Sequence, residues 1–380
     1  MNAVLDTLAS VPITDATAVD IAHLSSGSMV RELGLSIETV AQRAPALDDL
    51  ARWRRHAIDG REYTFAQPIT FTPYAAARPC SARCRFCSEN LRDAAGASSS
   101  STLRPGARYF EHLRNGLRAL EGLPIGYSLS GLETTDDAAW LFGMLEVLQS
   151  HAQRSPVTER VLYTNAAGFV GEHGDALAQR FVDFQLSWTE VSRHHFDAHI
   201  NQRIMRFREG IAAQEQSAFE HAVRKLGQSI PVKLVCIVQT GGVDSAVAVT
   251  RYLDWAHTLG VSAVIIREFS QLPARYAVNG TARYIRAHRI AMADLLRQIA
   301  HQPELSTRLR FHRATEGYYF WNVMARDGAL DVIFEASDYE RMHAMHDSNR
   351  VYKLVLHTNG NLCGGWDPQR QVLLNASARP

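Results

Sequence analysis

Residues 231–270 read PVKLVCIVQTGGVDSAVAVTRYLDWAHTLGVSAVIIREFS. Two runs rich in β-branched residues, 231–240 and 262–270, flank a segment, 244–260, whose apolar residues recur at helical spacing. Strands separated by a helix-length connection run parallel, because a right-handed crossover must carry the chain back to the starting end of the sheet. The unbroken apolar pieces KLVCIV and AVII suit strands covered on both faces. The stretch therefore reads as a βαβ unit.

Upstream, the same rhythm recurs. Strands are predicted at 68–74, 125–131, 160–166 and 184–191, and helices at 104–121, 136–150, 174–182 and 212–227. Pro105 stands in the first turn of its helix, and Asp136 and Asp137 open theirs. Downstream, 282–300 supplies a helix after the last strand. These six βα units predict an α/β fold, a partial (β/α)6 TIM-like barrel over 67–304. A doubly wound open sheet would give the same alternation, and both architectures gather chemistry at the carboxyl ends of the strands. Residues 1–60 are expected to form an N-terminal helical cap. Residues 305–380, with RDG and TNG turns between β-rich runs, are expected to form a β-rich C-terminal extension. The SSSST tract at 98–102 is expected to be a surface loop.

Hydrophobic residues make up 46% of the 380 positions and charged residues 21%, the balance of a globular protein with a large core. A formal net charge of +1, with dispersed Lys and Arg, argues against a nucleic-acid partner. The N-terminus lacks a basic segment leading into an apolar run, and no stretch approaches membrane-spanning length, so a cytoplasmic protein without a membrane partner is expected.

Three of the five cysteines, Cys80, Cys84 and Cys87, crowd into CSARCRFC at 80–87, in the loop after the first predicted strand. An odd number of cysteines, clustered, suits thiolates on a metal in a reduced compartment better than a disulfide framework. Zinc would want a fourth ligand or a water, and Cys236, Cys363 and the pair His194-His195 stand apart in sequence. An iron-sulfur cubane held by three cysteines would leave one of its four irons without a protein ligand.

The pattern Cys80-x3-Cys84-x-Phe86-Cys87 resembles the signature of the radical S-adenosylmethionine (radical SAM) superfamily. The resemblance spans about 67–275. It implies a 4Fe-4S cluster on Cys80, Cys84 and Cys87, SAM on the open iron, and Phe86 on the adenine side. It implies further that Ser130, Gly131 and Glu133, in SLSGLETT, hold the methionyl ammonium, although Leu132 stands where the family has a second glycine. Thr164 and Asn165, in YTNA, fall at the rim of the site, Ser187 at the ribose, and Arg193 at the SAM carboxylate. The fifth strand, LVCIVQTGG, departs from the family's glycine-rich pattern for adenine contacts. An electron donor such as flavodoxin or ferredoxin is implied as well.

Within that superfamily, the chain lacks the additional cysteines of auxiliary-cluster domains and a cobalamin-binding D-x-H-x-x-G segment. A single-cluster biosynthetic enzyme is therefore expected, one that abstracts hydrogen from a small metabolite of amino acid, sugar or nucleoside type. Cys363, in TNGNLCGGWD, is a candidate hydrogen-atom donor, and Cys236 belongs to the core. Tyr318, Tyr319, Trp321 and Trp366 are candidates to line the pocket. A zinc-dependent barrel hydrolase and a non-catalytic iron-sulfur sensor stand as alternatives.

Overall fold

In the computed structural model, residues 10–12, 26–91, 103–276 and 279–376 are described; the SSSST tract lies outside them. The described part of 1–60 corrects the expected helical cap. It holds one short helix, Gly27–Glu32, one 3-10 turn, Leu50–Arg52, and strands β1 (Ser10–Pro12), β2 (Thr39–Gln42) and β3 (Trp53–Ile58). β3 pairs antiparallel with β4 (Arg61–Ala66) across Asp59-Gly60. Both turn residues have positive φ, 48° and 74°, the requirement of a two-residue type I′ hairpin that an Asp-Gly pair meets at low cost. That local preference outweighs the helix-like apolar spacing upstream.

Six strands follow: β5 (Thr70–Tyr74), β6 (Ile125–Leu129), β7 (Val157–Thr164), β8 (Trp188–Ser192), β9 (Val232–Ile237) and β10 (Ala263–Arg267). They lie side by side in chain order, each parallel to the next. Because every crossover steps the same way and is right-handed, all the connecting helices fall on one face. The sheet then curls away from them, which makes a barrel and excludes the doubly wound alternative, whose strand order must reverse. Asp137 caps the helix Ala138–Ala152 by accepting the Trp140 N–H at 3.0 Å, and Ser245 caps Ala246–Leu259 in the same manner. The expected single helix at 282–300 is two, Gly280–His288 and Met292–His301. Glu268, just past β10, accepts the Met292 N–H at 2.7 Å and pairs with Arg289, which fixes the break.

The C-terminal segment is woven into the barrel sheet. After β11 (Arg310–Glu316) and β12 (Phe320–Asp327), β13 (Leu330–Ser337) returns through a turn at Gly328 and pairs parallel with β10. The two-residue β14 (Arg350–Val351) joins β4, and β15 (Leu354–His357) pairs parallel with β5 at the opposite edge. The TNG turn then leads to β16 (Leu362–Cys363) and β17 (Val372–Leu374). Eight parallel strands result, in the order β15-β5-β6-β7-β8-β9-β10-β13, and the sheet stays open because each edge continues into antiparallel strands.

Alternation along these strands separates two environments. Leu129, Leu162, Val191, Leu234 and Ile266 are buried in the main core under the helices, each contributing about 2 kcal/mol of apolar burial. The inner face is polar. Tyr163, Glu190 and Lys233 stand in register there, Arg267 reaches Glu190 at 3.3 Å and Glu335 at 2.6 Å, and Arg43 closes on Glu159. A closed barrel packs its interior with branched apolar side chains; this open one is lined with charge.

Candidate active site

Past Tyr74 the chain forms a loop over the carboxyl ends of β5–β7, and its backbone is clamped from several sides. The Ser81 N–H donates to Asp136 at 2.6 Å, and Asn165 Nδ2 donates to Ser81 Oγ at 2.9 Å. Arg208 donates through Nε to the Cys80 carbonyl at 2.8 Å, and the Arg83 N–H reaches the Met205 carbonyl at 3.0 Å. Asp136 lies in the 3-10 turn after β6, Asn165 directly follows β7, and Met205 and Arg208 end and follow the helix Ala198–Met205.

Each of the three sulfurs faces N–H donors. Cys80 Sγ accepts the Ala82 N–H at 3.4 Å and lies 3.8 Å from Asn165 Nδ2. The Cys84 sulfur has only its own backbone N–H, and the N–H groups of Glu89 and Asn90 serve Cys87. Burial, with Glu133 next in weight, pushes the Cys80 thiol up to about 12. Burial and then Glu89 push Cys87 up to about 11, and burial raises Cys84 well above the ordinary thiol value. Thiolates in this place therefore need a cationic centre to hold them deprotonated, and the N–H donors suit sulfurs that carry negative charge. Among the described residues no three His, Cys, Asp or Glu side chains converge to hold a metal ion. A single zinc would draw its sulfurs to about 2.3 Å from one point, whereas a cubane takes each sulfur on a different iron. The donor set fits the cluster.

Glu133 is the hub beneath the loop. It is 3% exposed, and its Oε1 accepts the Thr135 N–H at 3.1 Å, the Thr135 hydroxyl at 2.5 Å and the Thr164 hydroxyl at 2.7 Å. Its Oε2 accepts the Asn165 N–H at 2.5 Å and keeps acceptor capacity. Burial, then the Asp136 carboxyl, raise its pKa well above the usual range. The approach to Glu133 is tight: Gly131 has φ 111°, and a Cβ there would meet the Tyr74 ring at 3.0 Å. Leu132, at φ 51°, adopts a left-handed conformation in which glycine costs less, which is where the chain departs from the Gly-Gly-Glu pattern. Ser130 precedes this turn at the end of β6. Phe86 packs edge-on against His194 at 4.9 Å and against Phe269 at 5.3 Å, which sets it over the ends of β8 and β10.

Two expected site residues fall elsewhere. Ser187 lies before β8, bonded to Arg160 through both its N–H at 2.8 Å and its hydroxyl at 3.0 Å. The register sets Trp188 against Val161 and Val191 against Thr164, and β8 runs to Ser192, so Ser187 is about 16 Å below the strand end and cannot meet a ribose there. The expected strand begins four residues too early because Phe184 and Leu186 are buried loop residues; Ser192 holds the rim position. Arg193 turns outward beneath the helices, fully buried. It donates to Gln216 at 2.6 Å and the Ala213 carbonyl at 3.3 Å, and lies 4.5 Å from the centre of the Phe219 ring. Both terminal nitrogens are engaged there and only the buried Nε is left unpaired, so the side chain is placed away from a carboxylate at the cysteine loop. We expect Arg193→Leu to cost about 2–4 kcal/mol in denaturant unfolding and to leave metal content unchanged.

Cys363 is fully buried, raised to about 12 by burial and then by Asp367. It pairs in register with Val355, which packs with Tyr74, and cross-strand partners share a face, so the thiol sits on the inner wall. Cys236 is core, as expected. Trp366 packs on Tyr74 at 5.3 Å, whereas Tyr318 packs on Tyr352 at 5.2 Å, Tyr319 near Tyr339 at 6.5 Å, and Trp321 against the main core. Ser81, Asp136 and Arg208 were not legible as site residues. Their bonds to the loop join positions 55 and 128 residues apart, and no local pattern announces them.

An open βα barrel thus carries a cysteine triplet clamped over its strand ends, the place where barrel enzymes do their chemistry. No family model and no curated sequence matches the chain. Solved structures similar to it include SuiB of Streptococcus suis bound to S-adenosylmethionine, at 12% identity and a TM-score of 0.48 over 80% of this chain and 61% of that one. Coproporphyrinogen III oxidase (HemN) of Escherichia coli, a radical SAM enzyme, is similar at 9% identity and a TM-score of 0.40, over 68% of this chain and 66% of that one. The radical S-adenosylmethionine methyltransferase TsrM of Kitasatospora setae, with cobalamin and a 4Fe-4S cluster bound, is similar at 13% identity and a TM-score of 0.35, over 52% and 36%. The chain spans about three fifths of the length of SuiB. Among the described residues no helix is long and apolar enough to cross a membrane.

Proposed function

We propose that this protein is a single-cluster radical SAM enzyme acting on a small metabolite in a biosynthetic pathway. The observation that carries the reading is the clamped loop that bears Cys80, Cys84 and Cys87 above a buried, hydrogen-bonded Glu133 at the mouth of an open barrel. Cys80, Cys84 and Cys87 hold a 4Fe-4S cluster. Glu133 Oε2 receives the SAM ammonium, with Ser130 and Gly131 as the close wall, Thr164 and Asn165 fix the carboxylate of Glu133, and Phe86 flanks the adenine. The bound cluster and SAM together supply a 5′-deoxyadenosyl radical. The polar interior below the loop would receive the substrate, and Cys363, on the inner wall, is the candidate that would give it a hydrogen atom. Anaerobic incubation with reductant and SAM is expected to release 5′-deoxyadenosine; none above a protein-free control would sink the reading.

The electron has an entry face. Arg83, Arg85, Arg203, Arg206 and Arg208, with Glu209 as the one acid, line a cavity of about 850 Å³ on the outer side of the cysteine loop. Arg83, Arg203 and Arg206 are exposed and have no carboxylate within 4.0 Å among the described residues. An acidic one-electron donor such as flavodoxin or ferredoxin is complementary to it. Arg203→Glu combined with Arg206→Glu is expected to raise the KM for flavodoxin about tenfold and to flatten its salt dependence. Turnover driven by dithionite is the control and is expected to be unchanged.

A further inference from the structure

The chain contains three lysines against 37 arginines. Lys225 is exposed and paired with Asp175, and Lys233 lies over the Trp188 ring at 3.9 Å with Glu190 beside it in register. Lys353 is different. It is 7% exposed, and its one hydrogen bond goes to Thr70 Oγ1, at 2.8 Å. No carboxylate lies within 4.0 Å of it among the described residues, since the nearby Glu159 is committed to Arg43. A buried ammonium holding a single hydroxyl partner has two donors unspent and a charge uncompensated, a costly arrangement unless something else completes it.

The surroundings say what completes it. Leu354 pairs with Phe71 and His357 with Tyr74, so Lys353 stands level with Thr70 on the inner wall, about 13 Å below the strand end from which the cysteine loop springs. Between the two levels lies Thr72, whose buried hydroxyl has no hydrogen-bond partner. Trp366 spans the same wall: the Lys353 ammonium is 5.1 Å from its ring centre, and the Tyr74 ring is 5.3 Å from it on the other side. A cation, an unpaired hydroxyl and two aromatic faces thus follow one another up toward the cysteines.

We propose that Lys353 and Thr70 receive the carboxylate of the substrate, a small monocarboxylic acid with a second polar group at Thr72 and its body along Trp366. One ammonium beside an already neutral Arg43–Glu159 pair balances one negative charge, which favours a carboxylate over a phosphate dianion. Burial, with Arg43 adding to it, lowers the Lys353 pKa to about 7, so the unliganded amine is readily uncharged and the acid's own charge restores the ammonium. The proposal rests on the radical SAM reading only in calling the bound acid the substrate.

Cyanate labelling of the intact, cluster-containing protein tests this site directly, because it carbamylates neutral amines and peptide mass spectrometry resolves all three lysines. Lys353 is expected to be modified, and 100 mM formate is expected to slow it about fivefold, as for a site with a Kd of about 25 mM. Lys225 should change by less than about twofold, and formamide, isosteric but neutral, should protect neither. Failure of Lys353 to react in the folded protein, or equal protection by formate and formamide, overturns the proposal. A formate effect in protein that makes no 5′-deoxyadenosine would overturn the cluster reading and leave the anion site standing.

Discussion

Changing Cys84 to alanine is expected to lower bound iron from about four atoms per chain to fewer than one and to abolish 5′-deoxyadenosine formation, a loss of at least about a thousandfold. Cys84 is the middle cysteine of the triplet, and burial raises its pKa well above the ordinary thiol value. Its thiolate exists only by virtue of what it binds, so two remaining sulfurs do not suffice to retain a cubane. Alanine in place of the bulkier thiol should cost little else. The loop stays pinned through Ser81 to Asp136, Asn165 to Ser81 and Arg208 to Cys80, none of which uses the Cys84 side chain. Iron and acid-labile sulfide assays with circular dichroism check both halves: a folded protein without iron is the expected result. Full iron retention would remove Cys84 from the ligand set.

The second large effect is at Glu133. Replacing it by glutamine keeps its volume but presents an NH2 group to donors, since Thr135 N–H and hydroxyl, the Thr164 hydroxyl and the Asn165 N–H all point at the carboxylate. The charge that would pair with the SAM ammonium is lost at the same time. A charge-assisted bond of this kind is worth about 2–3 kcal/mol, so the Kd for SAM is expected to rise roughly a hundredfold. The mispaired donors are expected to lower unfolding stability by about 1–3 kcal/mol. Titration of SAM into cluster-loaded Glu133→Gln checks the first. An unchanged Kd would limit Glu133 to a structural role.

Much of the barrel was legible because local and global signals agree there. The six strands keep a short period and β-branched composition, helices between them carry caps such as Asp137 and Ser245, and the cysteines sit in a loop at a strand end. The open question of barrel or doubly wound sheet needed the strand order, a long-range fact. At the N-terminus, helical apolar spacing misled while the Asp59-Gly60 turn, printed in the sequence, carried the better signal. Ser187 and Arg193 failed for a register reason. Whether a residue meets the mouth or the helices depends on where β8 starts and which face it shows, and a shift of a few positions moves both. Glu133, Thr164 and Asn165 could be named individually, but their mutual bonds, made across 31 and 32 residues, could not. The scarcity of lysine was a sequence signal for Lys353, and only its burial gave that scarcity meaning.

Mössbauer spectroscopy of the iron-57-enriched, anaerobically reconstituted protein bears most directly on the thiolate centre. Three cysteine ligands predict one iron site in four that differs from the rest and whose spectrum shifts when SAM is added. Four equivalent irons that ignore SAM, or a protein that binds zinc and no iron, would contradict the account.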